Sequence, residues 1–481
     1  MAQLALDLEH KAEFDRVVPA LVQHHPEVMQ SHLFNAIRLA NDEKWQAAEV
    51  EIKEAERLGL APAVVQSFLD SGVHSKVVVW RYAYYSGYLV AAWALGLGLL
   101  FLAGKNVSRL TLRSIEVDDP NDQQNTRHAT LRSIYRGLIN TAGAYYYVSI
   151  PFVIFLVLAI AGSVTYGCFM AGRVPIQLVV MLVAGALLTS YKMIHSLFVR
   201  HKREDPGRAL RRAEAPGLWD LAANVAKRIN TTPITEIRVT PGTDLGVYER
   251  DTQKGNIGRH QHRVLILGVG VLNGFTQEGF RAVLAHEYGH FAHRDTAGGD
   301  VALKINDNII NFYHGMLATR QAVWWNMAFQ FLRLYQLIFR RITHGATRLQ
   351  EVLADRVAVL TYGAAAFEEG LRHVIRRAAE FEDIAYWEIQ EANKVRRPLR
   401  NLYQLEPVVG KASVADKVRK QVNRATTEDD THPSAADRFR YAQRIRWSPA
   451  VPAAGMVWDL FVNPDGLTEE MSKVISTRLQ S

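Results

Sequence analysis

The chain has 481 residues, 48% of them hydrophobic, with 56 Lys and Arg against 48 Asp and Glu, a formal net charge of +8. That length allows two or three folded units and excludes a peptide-sized binding module. A single cysteine, Cys168, excludes a disulfide framework, a cysteine zinc finger and an iron–sulfur cluster, so any metal must rest on histidine and carboxylate.

The opening stretch, MAQLALDLEHKAEFDRVV, is acidic where a secretory signal needs a basic start, and its apolar residues are interrupted, so no cleavable signal is expected. Residues 1–80 read as a helical region. Within it, Ser31 to Lys76 suggests short helices joined near Asp42 and Gly59, a single hairpin-like unit and not a repeat array.

Residues 81–199 read as a transmembrane region with spans at about 82–103, 144–170 and 174–198. Tyr82 to Ala103 carries no charge and is flanked by Arg81 and Lys105, enough to cross a hydrocarbon core of about 30 Å. Ala144 to Met170 is also uncharged, with Tyr145, Tyr146 and Tyr147 at one end and Pro151 inside. A turn at Gly172–Arg173 returns the chain through Val174 to Tyr191 and onward to Phe198, giving a transmembrane hairpin.

The exit from that hairpin crowds Arg200, Lys202, Arg203, Arg208, Arg211 and Arg212 beside the membrane. The positive-inside rule places the chain after residue 199 in the cytoplasm, together with the Arg-bearing segment from Lys105 to Asn140; residues 1–80 then fall on the opposite side. Because the basic cluster abuts a membrane helix, lipid accounts for it, and no nucleic-acid partner is expected.

Beyond Glu214 a helix is expected from Pro216 to Arg228, then strands at Ile234–Thr240, Leu245–Arg250 and Arg263–Leu267. A hydrophobic insertion at about 321–339 holds two Trp and is broken by Arg333. Its pattern fits a fourth membrane-associated helix and a buried or interfacial helix equally. A C-terminal helix is expected over 461–481.

The segment TQEGFRAVLAHEYGHFAHRD opens with a Thr cap and continues with helical apolar spacing. His286 and His290, four apart, share one helical face as a common metal requires, and Glu287 can reach an attacking water. Zinc needs a third protein ligand. His293 lies a further turn along the same helix, which strings three residues in a line instead of around one ion. Glu351 in LQEVLADRVAVL is the better candidate, on a second packed helix, with Asp355 one turn later to accept the proton from the remote nitrogen of a ligating histidine.

HEYGH followed by EVLAD, the hydrophobic spans and the late segment THPSAADR together resemble the M48 family of membrane zinc metallopeptidases, of HtpX-like or CAAX-protease-like type. The resemblance covers about residues 200–460. It implies a mainly α protein in which integral membrane helices carry a gluzincin-type α+β zinc metalloprotease domain with a small β-sheet. It makes His286, His290 and Glu351 the ligands of one catalytic Zn2+ and Glu287 the catalytic base. His432 and Arg438 fall in a stretch that contributes to the active-site rim, where either could hydrogen-bond a developing oxyanion. Leu245–Arg250 falls where such proteases present an edge strand to extended substrate.

The function implied is a zinc metalloendopeptidase of the bacterial cytoplasmic membrane, its catalytic domain facing the cytoplasm. Its partners are membrane lipid and protein or peptide substrates, either membrane-associated or misfolded. Two alternatives stand beside it: a processing protease for one membrane-associated partner, and a non-catalytic, metal-stabilised membrane scaffold. The scaffold leaves Glu287 without a chemical task.

Overall fold

The computed structural model describes residues 3, 10–117, 119, 121, 126–170, 175–199, 205–250, 262–292, 299–407, 411–427, 430–447 and 454–480. His293, the turn at Gly172–Arg173 and the basic residues Arg200, Lys202 and Arg203 lie outside the described residues. The chain divides into two compact units, Met1–Gly98 and Leu99–Ser481.

In the first unit, amphipathic stretches form α1 (Lys11–His24), α2 (Met29–Asn41), α3 (Trp45–Arg57) and α4 (Pro62–Phe68). The joints fall where the sequence places them, because the backbone turns left-handed at Glu43 (φ 61°) and Gly59 (φ 106°). Ala36, Ile52, Ala55, Leu60 and Val65 form one core cluster, in which the alanines allow α2 and α3 to approach closely. The buried His32 is held by Glu51, 2.6 Å from its Nδ1.

Helix α5 (His74–Val117) begins in this unit and ends in the second, followed by α6 (Thr126–Met170) and α7 (Ile176–Ser196). Three helical stretches, Pro62–Ile115, Arg127–Phe169 and Ile176–Ser196, are long and apolar enough to cross a membrane. The helices containing the first two expected spans outrun them. Arg109 and Arg113, like Arg127, continue the helical phase, so an uncharged run marks the part suited to lipid and not the end of the helix.

The rest of the second unit is built on a small mixed sheet: β1 (Arg208–Ala209), β2 (Glu236–Thr240), β3 (Leu245–Arg250) and β4 (His262–Gly268), in the spatial order β1-β2-β4-β3. β2 runs parallel to β4, and β3 pairs antiparallel with β4, leaving β3 as an edge strand. The two-residue β1 was not expected. It is pinned by Arg208, whose guanidinium bonds Glu214 and Glu470, so this member of the basic cluster serves the fold. Helix α8 (Pro216–Arg228) starts with proline at its first position, as its fixed φ favours.

Helix α9 (Gln277–Ala292) is followed by α10 (Gly299–Ala318) and the 36-residue α11 (Met327–Tyr362), which form an antiparallel pair, and then by α12 (Ala364–Lys394), α13 (Lys411–Asn423), α14 (Ala435–Gln443) and α15 (Pro464–Gln480). Leu221 and Val225 of α8, Val239 and Leu267 of the sheet, Phe280 and Leu284 of α9, and Val352 and Val359 of α11 form one continuous buried core. Burying this set supplies the main stabilisation, at about 25 cal/mol for each Å² of apolar surface removed from water. It also fixes α9 between the sheet and α11.

Candidate metal centre and active site

Helix α9 begins at a cap, since Thr276 Oγ1 accepts the amide of Gly279 at 3.1 Å. Three of its residues dock it. Val283 and Leu284 enter the core, while Tyr288 is fully buried, its hydroxyl accepting the Ile234 amide at 3.0 Å and donating to the Ala222 carbonyl at 3.3 Å. Gly289 meets α11 so closely that an added Cβ would lie 2.9 Å from Ala354 Cα. The spacing of HEYGH therefore does two jobs: His286 and His290 share one face, and the glycine lets the glutamate-bearing helix reach them.

The three side chains come together. His286, His290 and Glu351 each offer a ligand atom, and these atoms lie within 4.8 Å of one another. His286 Nε2 is 3.5 Å from one Glu351 oxygen and His290 Nε2 is 3.5 Å from the other. Behind them, Asp355 is completely buried and accepts a hydrogen bond from His286 Nδ1 at 2.8 Å, which turns Nε2 toward the cluster. Arg438, 9% exposed, donates to both Asp355 oxygens at 2.9 and 2.5 Å, with a further nitrogen 3.5 Å from Glu351. His432 stands at the opening, more than half exposed, with Nδ1 3.0 Å from Glu351.

Charge in this pocket is strongly coupled. Burial alone would lower the His286 pKa, but its bonds to Asp355 and Glu351 prevail and raise it to about 10. His290 is pushed down to about 4 by burial and by the neighbouring His286. Burial opposes ionisation of Glu351 and Asp355, yet the histidine and Arg438 hold both below the usual carboxylate range. Glu287 goes the other way. Burial pushes its carboxyl upward, and the one hydrogen bond to it among the described residues is from the Val247 amide, at 3.4 Å.

That contact orients the sheet. Val247 is on β3 and its N–H points to Glu287, so the edge of the strand borders α9. By strand alternation the amides of Leu245 and Glu249 face the same way.

The donor set fits a zinc ion. Two imidazole nitrogens and one carboxylate leave a tetrahedral position open, and one histidine is fixed through its second nitrogen. A buried carboxylate surrounded by imidazoles and a guanidinium is otherwise a costly arrangement. All seven residues expected from the sequence lie at this site, His286, His290 and Glu351 in the cluster and Glu287, Asp355, His432 and Arg438 around it, but Arg438 is not at the expected rim. Its guanidinium instead lies behind the ligands and is spent on Asp355. The signal was faint: Arg438 falls on the same face of α14 as Ala435 and Ala442, both buried.

A helix bearing His-Glu-x-x-His, a second helix returning Glu-x-x-x-Asp and an edge strand over the first glutamate define a metallopeptidase fold. Residues 256–446 match the family model of Peptidase family M48, and across them the chain carries an M48 metallopeptidase domain. No curated protein and no solved structure matches the chain.

Proposed function

We propose that the chain is a membrane-anchored zinc endopeptidase that hydrolyses peptide bonds of membrane-associated or misfolded proteins. The observation that carries this reading is the convergence of His286 and His290 on the two oxygens of Glu351, with Glu287 left outside that cluster and facing the edge strand. His286, His290 and Glu351 would hold the ion. When bound, zinc supplies Lewis acidity, making water nucleophilic near neutral pH and polarising the scissile carbonyl.

The chain's own residues do the rest. Glu287, raised in pKa by burial, accepts the proton of the attacking water and returns it to the leaving amine. An extended substrate lies along β3, where its carbonyl competes with Glu287 for the Val247 amide and frees the base. His432, at the opening, is placed to hydrogen-bond the developing oxyanion. Arg438 works at one remove, holding Asp355 so that His286 keeps its orientation. A structural metal would need no uncommitted carboxylate, and Glu287 favours the catalytic reading over the scaffold.

The anchor is α5, α6 and α7, with the catalytic domain on the cytoplasmic side of a bacterial membrane, as the basic residues flanking the spans favour. The test is zinc stoichiometry together with peptide hydrolysis by the full chain in detergent. Wild type should bind one zinc and cleave, whereas His290→Ala and Glu351→Ala should lose both. Cleavage by either variant after metal stripping would overturn the assignment.

A further inference from the structure

The insertion between the two ligand-bearing helices folds as a hairpin, α10 and α11 joined by a turn over Thr319–Asn326. Its sequence does not decide whether it meets water, protein or lipid. From Asn308 to Leu332 it carries one charged residue, Arg320, which sits in the turn, yet neither arm is long enough to span. Residues 308–318 of α10 measure about 16 Å against a hydrocarbon core of about 30 Å.

Its contacts run in order along the membrane helices. On α6, Asn308 donates to the Tyr147 hydroxyl at 2.9 Å, Phe331 stacks on Tyr146 with ring centroids 6.2 Å apart, and the Tyr335 hydroxyl donates to the Ala142 carbonyl. Along α7 the hairpin goes deeper. Asn311 bonds the Val199 carbonyl at 3.2 Å, and Gly315 lies against the stem of Lys192. Asn326 donates to Thr189 Oγ1 at 3.0 Å, and Gln321 in the turn reaches Gly185. From Ser196 to Gly185 is about 16 Å of helix, leaving about 14 Å of α7 beyond the turn.

The outward face of the hairpin is apolar and bare. Trp324 and Trp325 at its tip are 78% and 66% exposed, and Ile310, Leu317, Met327 and Leu334 are also exposed. At the same levels α7 leaves Leu187 and Ile194 exposed, so the bare surface of the hairpin continues that of a membrane-crossing helix. An apolar surface this large on a water-facing domain would need a partner.

We infer that the α10–α11 hairpin is seated in the bilayer as a re-entrant element. It enters the leaflet nearer the catalytic domain beside α7 and stops part-way, with Trp324 and Trp325 among the lipids. The occupant of its bare face is lipid acyl chain. The wide indole rings present mainly apolar surface to acyl chains, and the long stem of Arg320 lets the one charge of the stretch snorkel away from the apolar centre. Some of the polar groups at the tip are met without water, since Asn326 caps the amides of Ala328 and Phe329 at the head of α11 while holding Thr189. The same continuous helix α11 carries Glu351, so the hairpin sets the height of the cleft above the membrane. The inference rests on α7 crossing the bilayer and is independent of the metal.

The test uses the full chain in phosphatidylcholine–phosphatidylglycerol vesicles, in a Cys168→Ser background, with a nitroxide attached in turn at Trp324→Cys, Leu317→Cys and Leu334→Cys. Leu187→Cys on α7 is the lipid reference and Arg419→Cys, on the surface of α13, the water reference. The ratio of collision with oxygen to collision with a water-soluble nickel chelate should match the lipid reference at all three hairpin positions and exceed the water reference several-fold. Values equal to the water reference would overturn the inference. Shielding from both probes with spin–spin broadening would overturn it in favour of a second copy of the chain. A lipid reference that is itself wet would remove the membrane reading of α7, and the inference with it.

Discussion

A Cβ on Gly289 would stand 2.9 Å from Ala354 Cα, so the two helices that carry the His286–His290–Glu351 cluster touch through a glycine. Gly289→Ala should raise intrinsic helix propensity by about 1 kcal/mol yet force α9 and α11 apart, an overpacking cost of about 1–3 kcal/mol. The expected result is a protein that folds with unchanged helix content and binds zinc about tenfold more weakly, measured by competition with a chelator. Unchanged affinity would show that the helices can slide without moving Glu351.

The Asp355–Arg438 pair makes a separable prediction. Asp355→Asn removes the anion that fixes His286 and leaves Arg438 buried without its counter-charge, so zinc affinity should fall about 10–100-fold and stability by about 3 kcal/mol. Adding Arg438→Met should recover much of the stability but not the affinity. Thermal melts and zinc titration of the two singles and the double separate these effects.

Arg348, fully buried one turn before Glu351, ties three elements together. It donates to the Thr427 carbonyl at 3.4 Å, to the Asp430 carbonyl and to Ser108 Oγ on α5. The loop it grips leads directly to His432. Arg348→Met should leave zinc bound and lower kcat about tenfold by loosening that loop, since small misplacements of a reacting group are costly. A loss of zinc in step with activity would mean instead that Arg348 supports the ligand helix.

Acid sensitivity should have a source outside the active site. Glu388 on α12 is gripped by Arg397 and Arg400, and the Arg397 bond above all lowers its pKa from 4.5 to about 2. A carboxyl with a depressed folded-state pKa adds stability that is complete above pH 4.5 and fades as pH falls from 4.5 toward 2. Glu388→Gln should therefore cost on the order of 2–3 kcal/mol at neutral pH and show less loss of melting temperature across that window. Parallel melts of wild type and variant from pH 5 to pH 2 check it.

The convergence of His286, His290 and Glu351 was legible because metal chemistry favours such residue types at helical spacing, and HEYGH and EVLAD show that spacing in so few residues. The helix at 216–228 and the strand at 245–250 were legible from a leading proline and from turn residues on either side. Burial of Arg438 was not, because its partner Asp355 lies 83 residues away and neither segment names the other. The fate of the insertion was equally hidden. One charge in 25 residues fits a core as well as a membrane, and only the sequence of contacts down α7 separates them.

If Glu287 is the base of a zinc peptidase, Glu287→Gln should separate metal binding from turnover. Gln keeps the shape of the side chain and leaves His286, His290 and Glu351 in place. Zinc content should therefore equal that of wild type, while peptide hydrolysis in detergent falls by at least about a hundredfold. A variant that holds zinc and cleaves peptides at the wild-type rate would show that Glu287 is not the base.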